Sequence, residues 1–539
     1  MSERGSVDAG GHDGHEATTP LGRFGAGPSG RPPVPPPRGQ HPPQGRHPAT
    51  PSFRRTVGYT VLGAIVPGTA FLAAGRRKLG WATLGVLLVL VGGAVWLATG
   101  GRRSALRAAV DPAALTWVMV ALVVLAAVWV AVVASGYRML VPEGASRWQH
   151  ATGALLVLVL AGAVAAPTVA GVQLASAQRG LINGVFSADD VQSATIVPPV
   201  DVADPFGDKE RVNVLLLGGD GGDGRDGVRT DTVIVASIET ATGTTTLFSL
   251  PRNLEDLPFP ADSPLAAVYP DGFDAGSESE SLLNAVYRNG PAEHPDILGP
   301  TANPGADFLK LGVGEALGLP IDYYVLANLA GFSQLVDALG GITVNVNYYV
   351  PIGGEPTIGI LPDAYIAPGP NQLLDGARAL DFARGRFGLT DYDRMDRQRC
   401  TLDAIVAAAD PITLLSRYQQ LAATTQDIVS TDIPQSVLQD FVDLAFMVKD
   451  AGIRSVVFDD TVITPAYPDY DLIRRLVQEA LGTAPAPAPA PAPAPGQPAP
   501  APAPAPTAAP VDDVQDACAY DPVAAQAALA EGEPPTRRR

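Results

Sequence analysis

Apolar residues along this chain fall into two regimes. From about Val57 to Ala175 they run almost without interruption, and three stretches, about Trp81 to Thr99, Ala113 to Ser135 and Ala151 to Leu174, approach or exceed the ~20 residues that a helix needs to cross a bilayer. A fourth stretch, about Val57 to Gly75, is broken by Pro67 and Gly68 and ends in Arg76, Arg77 and Lys78; it reads as a re-entrant hairpin or a weak span. Beyond about Asp204 the pattern changes to short apolar runs and amphipathic periods. RVNVLLLGGD reads as a buried strand entering a Gly-rich turn, and TDTVIVASIE and TTTLFSLPRN read as two more strands. YYVLANLAGFSQLVDALGGITVNV gives strand, amphipathic helix and strand, with Gly340 and Gly341 closing the helix. The fold class is α/β, with helices covering a mixed central sheet, preceded by an α-helical transmembrane region.

Composition divides the chain further. Residues 1–55 are Gly, Pro, Ser, His and Arg with few aliphatics, so they bury too little apolar area to offset ordering entropy and read as a disordered cytoplasmic tail. Residues 56–177 form the transmembrane region, with no cleavable signal peptide before it. The folded body covers 204–482. An alternating Ala/Pro run at 483–510 favours extended polyproline II and acts as a semi-rigid spacer. Residues 511–539 are a short tail that docks back on the body or stays mobile.

Charge sets the expected orientation. Seven Arg against four acidic residues precede the first apolar segment, with Arg54 and Arg55 at its boundary, which places the N-terminus in the cytoplasm. Three spans then put everything after about Gln178 outside, with Arg76 to Lys78, Arg138 and Arg147 inside. Arg102, Arg103 and Arg107 fall outside, against the rule; four spans would instead place the body in the cytoplasm. Cys400 and Cys518 are the only cysteines, and their spacing leaves both a disulfide and two free thiols open.

The chain is acidic overall, with a formal net charge of -18, yet GARALDFARGRFGLTDYDRMDRQRC carries Arg378, Arg384, Arg386, Arg394, Arg397 and Arg399. Guanidinium forks match phosphate oxygens, so the cluster reads as a phosphate or pyrophosphate clamp; a helix face paired with Asp391, Asp393 and Asp396 is the alternative. Arg384 and Arg386 share a face if they lie on a strand, and Arg394, Arg397 and Gln398 share one on a helix. Asp220 ends the first strand and Asp231, with Arg229, enters the second, so carboxylates and a guanidinium converge at one end of a sheet. Such hard oxygen donors suit Mg²⁺ or Mn²⁺ on a phosphorylated substrate. Asp223 and Asp226 read as turn residues among glycines. Arg252 stands at another strand terminus, where α/β sheets place ligands.

Other chemistries are excluded by what is scarce. Four of the six histidines are in the N-terminal tail, His150 is at a membrane boundary, and only His294 lies in the body, which leaves little room for a histidine triad or a histidine-held zinc. No P-loop or dinucleotide fingerprint occurs in the right context. The acidic balance and the lack of a helix-turn-helix pattern argue against nucleic acid.

In this order, the Asp220 strand, RTDT with Arg229 and Asp231, SLPRN with Arg252, LLNAVYRNG with Asn284 and Tyr287, ARGRF with Arg384 and Arg386, and DRMDRQ with Arg394 and Gln398 resemble the LytR-CpsA-Psr family of bacterial cell-envelope enzymes, over about Arg211 to Gly482. The resemblance implies an α/β/α sandwich with a deep apolar pocket for a polyprenyl chain. It also implies transfer of a glycopolymer from a polyprenyl-pyrophosphate carrier to a peptidoglycan hydroxyl, at the extracytoplasmic face of the cell membrane; the multi-pass N-terminus, read from the apolar segments, is unlike the single span common in the family. Asp220 and Asp231 would hold Mg²⁺ or Mn²⁺. Arg229, Arg252, Arg384, Arg386, Arg394 and Gln398 would hold the phosphates, with Asp231, Arg229 and Arg252 as the catalytic residues and Asp231 also assisting deprotonation of the acceptor. Asn253 departs from the family, which has Asp after the Pro-Arg pair. A polyprenyl-pyrophosphate phosphatase and a non-catalytic lipid-carrier binding or regulatory protein are the alternatives.

Overall fold

The structure, a computed structural model, describes residues 52–186, 193–195, 205–206, 209–221, 228–409, 429–483 and 509–537. The expected N-terminal tail and Ala/Pro spacer fall almost wholly outside these residues, as do Asp223 and Asp226.

Helix α1 (Phe53–Ile65) and the short α2 (Thr69–Ala73) are joined by Val66, Pro67 and Gly68. Gly68 takes φ 104°, a conformation open to glycine, and a Cβ there would lie 2.3 Å from Thr83 Oγ1. Neither helix is long enough to cross a bilayer. Then follow α3 (Arg77–Thr99), α4 (Arg102–Ala109), α5 (Pro112–Leu140) and α6 (Arg147–Val185). Of these, α3, α5 and α6 are long and apolar enough to span a membrane. Asp111 caps α5 ahead of Pro112, and Ser146 with Gln149 forms a capping box on α6. The α1–α2 hairpin leans on α5: Thr56 Oγ1 donates to Leu140 O at 2.7 Å, and Trp129 Nε1 donates to Ala64 O at 3.0 Å. Its tip therefore reaches a little over a third of the way along α5 from Leu140, roughly 16 Å at 1.5 Å per residue, and turns back.

The body is built on β1 (Arg211–Gly219), β2 (Thr230–Glu239), β3 (Thr245–Leu250), α7 (Leu283–Glu293), α8 (Pro304–Leu317), β4 (Tyr323–Asn328), α9 (Leu329–Leu339), β5 (Ile342–Val346), β6 (Val350–Ile352), β7 (Ala364–Ile366), β8 (Gly369–Leu374), α10 (Gly376–Arg384), α11 (Asp391–Ala408), β9 (Val429–Thr431), α12 (Leu438–Ala451), β10 (Ile453–Val457), α13 (Tyr470–Leu481), β11 (Asp512–Asp513) and α14 (Pro522–Glu531). Seven strands form a mixed sheet in the order β11-β10-β3-β2-β1-β4-β9, in which β1 pairs antiparallel with β2 and parallel with β4. The period of two along the central strands sends Leu215, Leu217, Val235 and Phe248 to one face, where α7, α8 and α13 cover them. Val212, Val214 and Leu216 face the other way, toward α12 and the ends of α5 and α6. The result is three layers, α/β/α. A smaller apolar cluster joins α9, α10 and α11 to β5 with β8 and to the β6–β7 hairpin.

The tail beyond the Ala/Pro run is part of the body. β11 adds an edge to the main sheet beside β10, Cys518 is bonded to Cys400 on α11, and Asn345 Nδ2 donates to Cys518 O at 3.0 Å. The pairing of Cys400 with Cys518, left open by their spacing, is settled by β11, which brings the two Cα atoms to 5.5 Å.

Candidate active site

A cavity of about 440 Å³ lies between the second face of the sheet, α9, α10, α11 and the β6–β7 hairpin. Its wall changes character along each element. On β1 it runs from Asp220 through two glycines to Leu217 and Leu216, on β2 from Asp231 to Ile234, and on α11 from Arg394 and Gln398 to Leu402 and Ile405. One end is charged and the other apolar.

Asp220 and Asp231 share the charged end because the β1–β2 pair brings Asp220 opposite Arg229: Asp220 N donates to Arg229 O at 3.1 Å, and Arg229 N donates to Asp220 Oδ1 at 2.8 Å. Asp231 Oδ1 accepts from Arg252 Nη1 at 3.2 Å and from Asn284 Nδ2 at 3.3 Å, while its carbonyl accepts from Arg394 Nη2 at 3.1 Å. Asn284 reaches it because Asn284 N donates to Arg252 O at 3.0 Å, which ties the start of α7 to the end of β3. Burial alone would raise the Asp231 carboxyl pKa; the charges of Arg252 and Arg394, with the Asn284 and Arg252 hydrogen bonds, outweigh it and hold the group below the usual carboxylate range. Burial pushes the Arg394 guanidinium down to about 10, against the pull of Asp391 and Asp231, so it stays charged at neutral pH. Asp391 bridges the arginines, at 3.3 Å from Arg252 Nε and 3.0 Å from Arg394 Nη2. Asp381 also lines the cavity, and there burial raises the carboxyl pKa.

Arg384 and Arg386 both line the cavity, but not from a strand as their spacing suggested. Asp375 caps a helix by accepting from Arg378 N at 2.9 Å, and Ala379, Phe382 and Ala383 bury its inner face, so Arg384 is the last residue of α10 and Arg386 follows the turn at Gly385. A Cβ on Gly385 would come within 2.5 Å of Pro351 O, so the turn can sit against the β6–β7 hairpin only as glycine.

Arg397 does not share the task of Arg394. Its Nε donates to Phe382 O at 2.7 Å, a second nitrogen donates to Gly385 O, and Nη1 donates to Tyr348 OH at 2.8 Å. It holds the carbonyls at the end of α10 and so positions Arg384 and Arg386. Arg399 turns the opposite way, to Ser455 Oγ and Asp512, and Arg378 is exposed. Three of the six clustered arginines therefore line the cavity. Arg252 reaches its rim through Asp231, whereas the guanidinium of Arg229 is taken up by Glu280 at 2.6 Å, which also binds Arg288 and Asn289. Asn253 is exposed. His294 packs edge-on against Tyr269 and is not part of the cavity wall.

The sequence read Arg397 as a clamp residue, which its contacts correct, gave Asp391 only as an ion-pair partner of the helix face, and left the function of Asn284 unassigned. Asp391 had a legible signal, since Thr390 and Asp393 form a capping box that makes Asp391 the first residue of α11. The contacts of Arg397 depend on where α10 ends, and no local pattern gave that.

The donor set fits a small hard cation. Asp220 and Asp231 offer carboxylate oxygens on one wall, and Mg²⁺ is commonly held by one or two carboxylates plus substrate phosphate. Among the described residues no group of three or more His, Cys, Asp or Glu forms a site made of protein ligands alone.

Comparison with known proteins places the site in a family. The chain is 33% identical over 42% of its length to the polyisoprenyl-teichoic acid–peptidoglycan teichoic acid transferase TagU of Enterococcus faecalis, covering 62% of that protein. It is 26% identical over 43% of its length to biofilm regulatory protein A of Streptococcus mutans, covering 52% of it. The chain thus spans less than two thirds of the length of these relatives. The crystal structure of Bacillus subtilis TagV is similar at 24% identity, with a TM-score of 0.35 over 51% of this chain and 99% of that one. The LytR_cpsA_psr family model matches residues 183–465, just over half of the chain and the whole span from Asp220 to Gln398, and the chain belongs to the LytR-CpsA-Psr family.

Proposed function

We propose that the protein is a membrane-anchored phosphotransferase that moves a glycopolymer from a polyprenyl-pyrophosphate carrier to a peptidoglycan hydroxyl. The observation that carries this reading is the single cavity with guanidinium groups and carboxylates at one end and aliphatic side chains at the other. That is the shape of a pyrophosphate joined to a hydrocarbon chain. The curated relative in Enterococcus faecalis is named for a transfer of this kind.

In the proposed reaction the acceptor hydroxyl oxygen attacks the sugar-linked phosphorus. The bond from that phosphorus to the bridging oxygen breaks, and polyprenyl phosphate leaves with the bond's electron pair. The hydroxyl proton passes to the departing phosphate or to water. Arg384, Arg386 and Arg394 line the end where charge accumulates, with Arg252 at its rim, and phosphoryl transfer is catalysed mainly by such positioning and charge neutralisation. Asp220 and Asp231 would hold Mg²⁺ or Mn²⁺, which would offset pyrophosphate charge. Asp231, kept ionised by its arginine neighbours, is a weak proton acceptor and better suited to that task than to taking the hydroxyl proton.

Three spans with the N-terminus in the cytoplasm and the body outside are part of this reading, and three apolar helices of sufficient length support it. The test is turnover of a polyprenyl-pyrophosphate-linked oligosaccharide by the purified protein, with and without Mg²⁺ and a peptidoglycan acceptor. Metal-dependent sugar on the acceptor is the expected result. Polyprenyl phosphate released together with an unattached sugar phosphate means hydrolysis, and binding without product means a carrier-binding protein.

A further inference from the structure

Helix α4, between the first two spans, does not lie free. Arg107 is paired with Asp443 on α12, and Arg103 Cζ sits 5.3 Å from the ring centroid of Phe446 on the same helix. Gln439 Nε2 donates to Asp111 Oδ2 at 3.2 Å, and Gln435 Nε2 donates to Phe186 O at 3.3 Å, so contacts from the α12 region reach the head of α5 and the end of α6 as well. Apolar packing completes the joint: Leu115 and Ile182 of the membrane helices share a cluster with Val212, Val214, Leu438 and Leu444. Arg103 and Arg107 thus have partners in the body, which answers their breach of the positive-inside rule.

The joint has a direction. It grips β1 at Val212 and Val214, whereas the charged mouth lies beyond the other end of the strand at Asp220, roughly 25 Å away at about 3.3 Å per residue. Leu216 and Val325 lie between, lining the apolar end of the cavity and packing against the cluster that holds the membrane helices. On α11 the sequence from Arg394 to Ile405 runs in the same sense.

We infer that the α4–α12 joint seats the body on the membrane helices so that the apolar end of the cavity receives a lipid chain from the bilayer while the phosphate end faces away from it. This rests on reading the cavity as a polyprenyl-pyrophosphate site, and the joint's task is to align the two.

The experiment uses the full-length protein in proteoliposomes with two probes: a long-chain polyprenyl-pyrophosphate oligosaccharide embedded in the same vesicles, and a water-soluble short-prenyl analogue. Asp443→Arg lowers turnover of the embedded probe about tenfold and leaves the soluble probe unchanged. Exchanging the charges with Arg107→Asp and Asp443→Arg together restores the embedded probe. Equal losses on both probes, or none on the embedded one, overturns the inference. If the wild type turns over neither probe, the function reading fails instead. The joint is then decided separately by a bismaleimide crosslink between Arg103→Cys and Phe446→Cys in the embedded protein, which the joint requires and whose absence refutes it.

Discussion

Arg252 and Asp231 face each other at 3.2 Å across the rim of the cavity, and Asn284, anchored through its own N–H to the Arg252 carbonyl, donates to the same carboxylate oxygen. Three separate sequence motifs thus meet at one atom. Asp231→Asn keeps the shape and removes the charge. We expect kcat to fall about a hundredfold or more, with the circular dichroism spectrum unchanged; wild-type turnover in this variant would remove Asp231 from the site.

The same carboxylate gives a pH signature. Its folded-state pKa is depressed, so the stability it contributes is fully present above the ordinary carboxylate value near 3.8 and is lost as pH falls through the lower folded value. Denaturant midpoints of wild type and Asp231→Asn, compared from neutral to acid pH, should keep a constant separation until the ordinary carboxylate range and converge below it. Convergence near neutrality would contradict the assignment.

Arg397 is buried with three acceptors, two of them carbonyls at the end of α10. Arg397→Ala leaves them without their charged donor and should cost about 3 kcal/mol of stability. Because Arg384 and Arg386 follow from that helix end, KM for the lipid-linked substrate should rise in Arg397→Lys even where the protein stays folded. Urea denaturation and steady-state kinetics together separate the two effects.

The disulfide closes a sequence separation of 118 residues between α11 and the tail. Removing it with paired Cys400→Ser and Cys518→Ser substitutions should lower stability by about 5 kcal/mol on chain-entropy grounds. The tail should then become the first site of limited proteolysis, read by mass spectrometry of the earliest fragments.

Much of the fold was legible because the central strands are buried on both faces and read as short continuous apolar runs. The run from Arg211 to Gly219 and the helix closed by Gly340 could hardly have been other elements. The charged end of the cavity was legible because Asp220, Asp231 and Arg252 all lie at or just beyond strand termini. The placement of Arg384 and Arg386 was not, since two residues separated by one can belong to a strand or straddle a helix end, and the Asp375 cap decides between these. Nor could sequence show that Arg229 is held by Glu280, a contact between residues 51 apart.

The two-residue strand β11 has a consequence for association. A sheet that ended at β10 would present the open backbone of Arg454 and Ser455 to any other chain able to pair with it. Asp512 and Asp513 occupy that position from within the same molecule, where the Asp512 carboxylate pairs with Arg399 and that of Asp513 accepts from Gln515 N. The tail therefore closes that edge of the sheet with the molecule's own backbone.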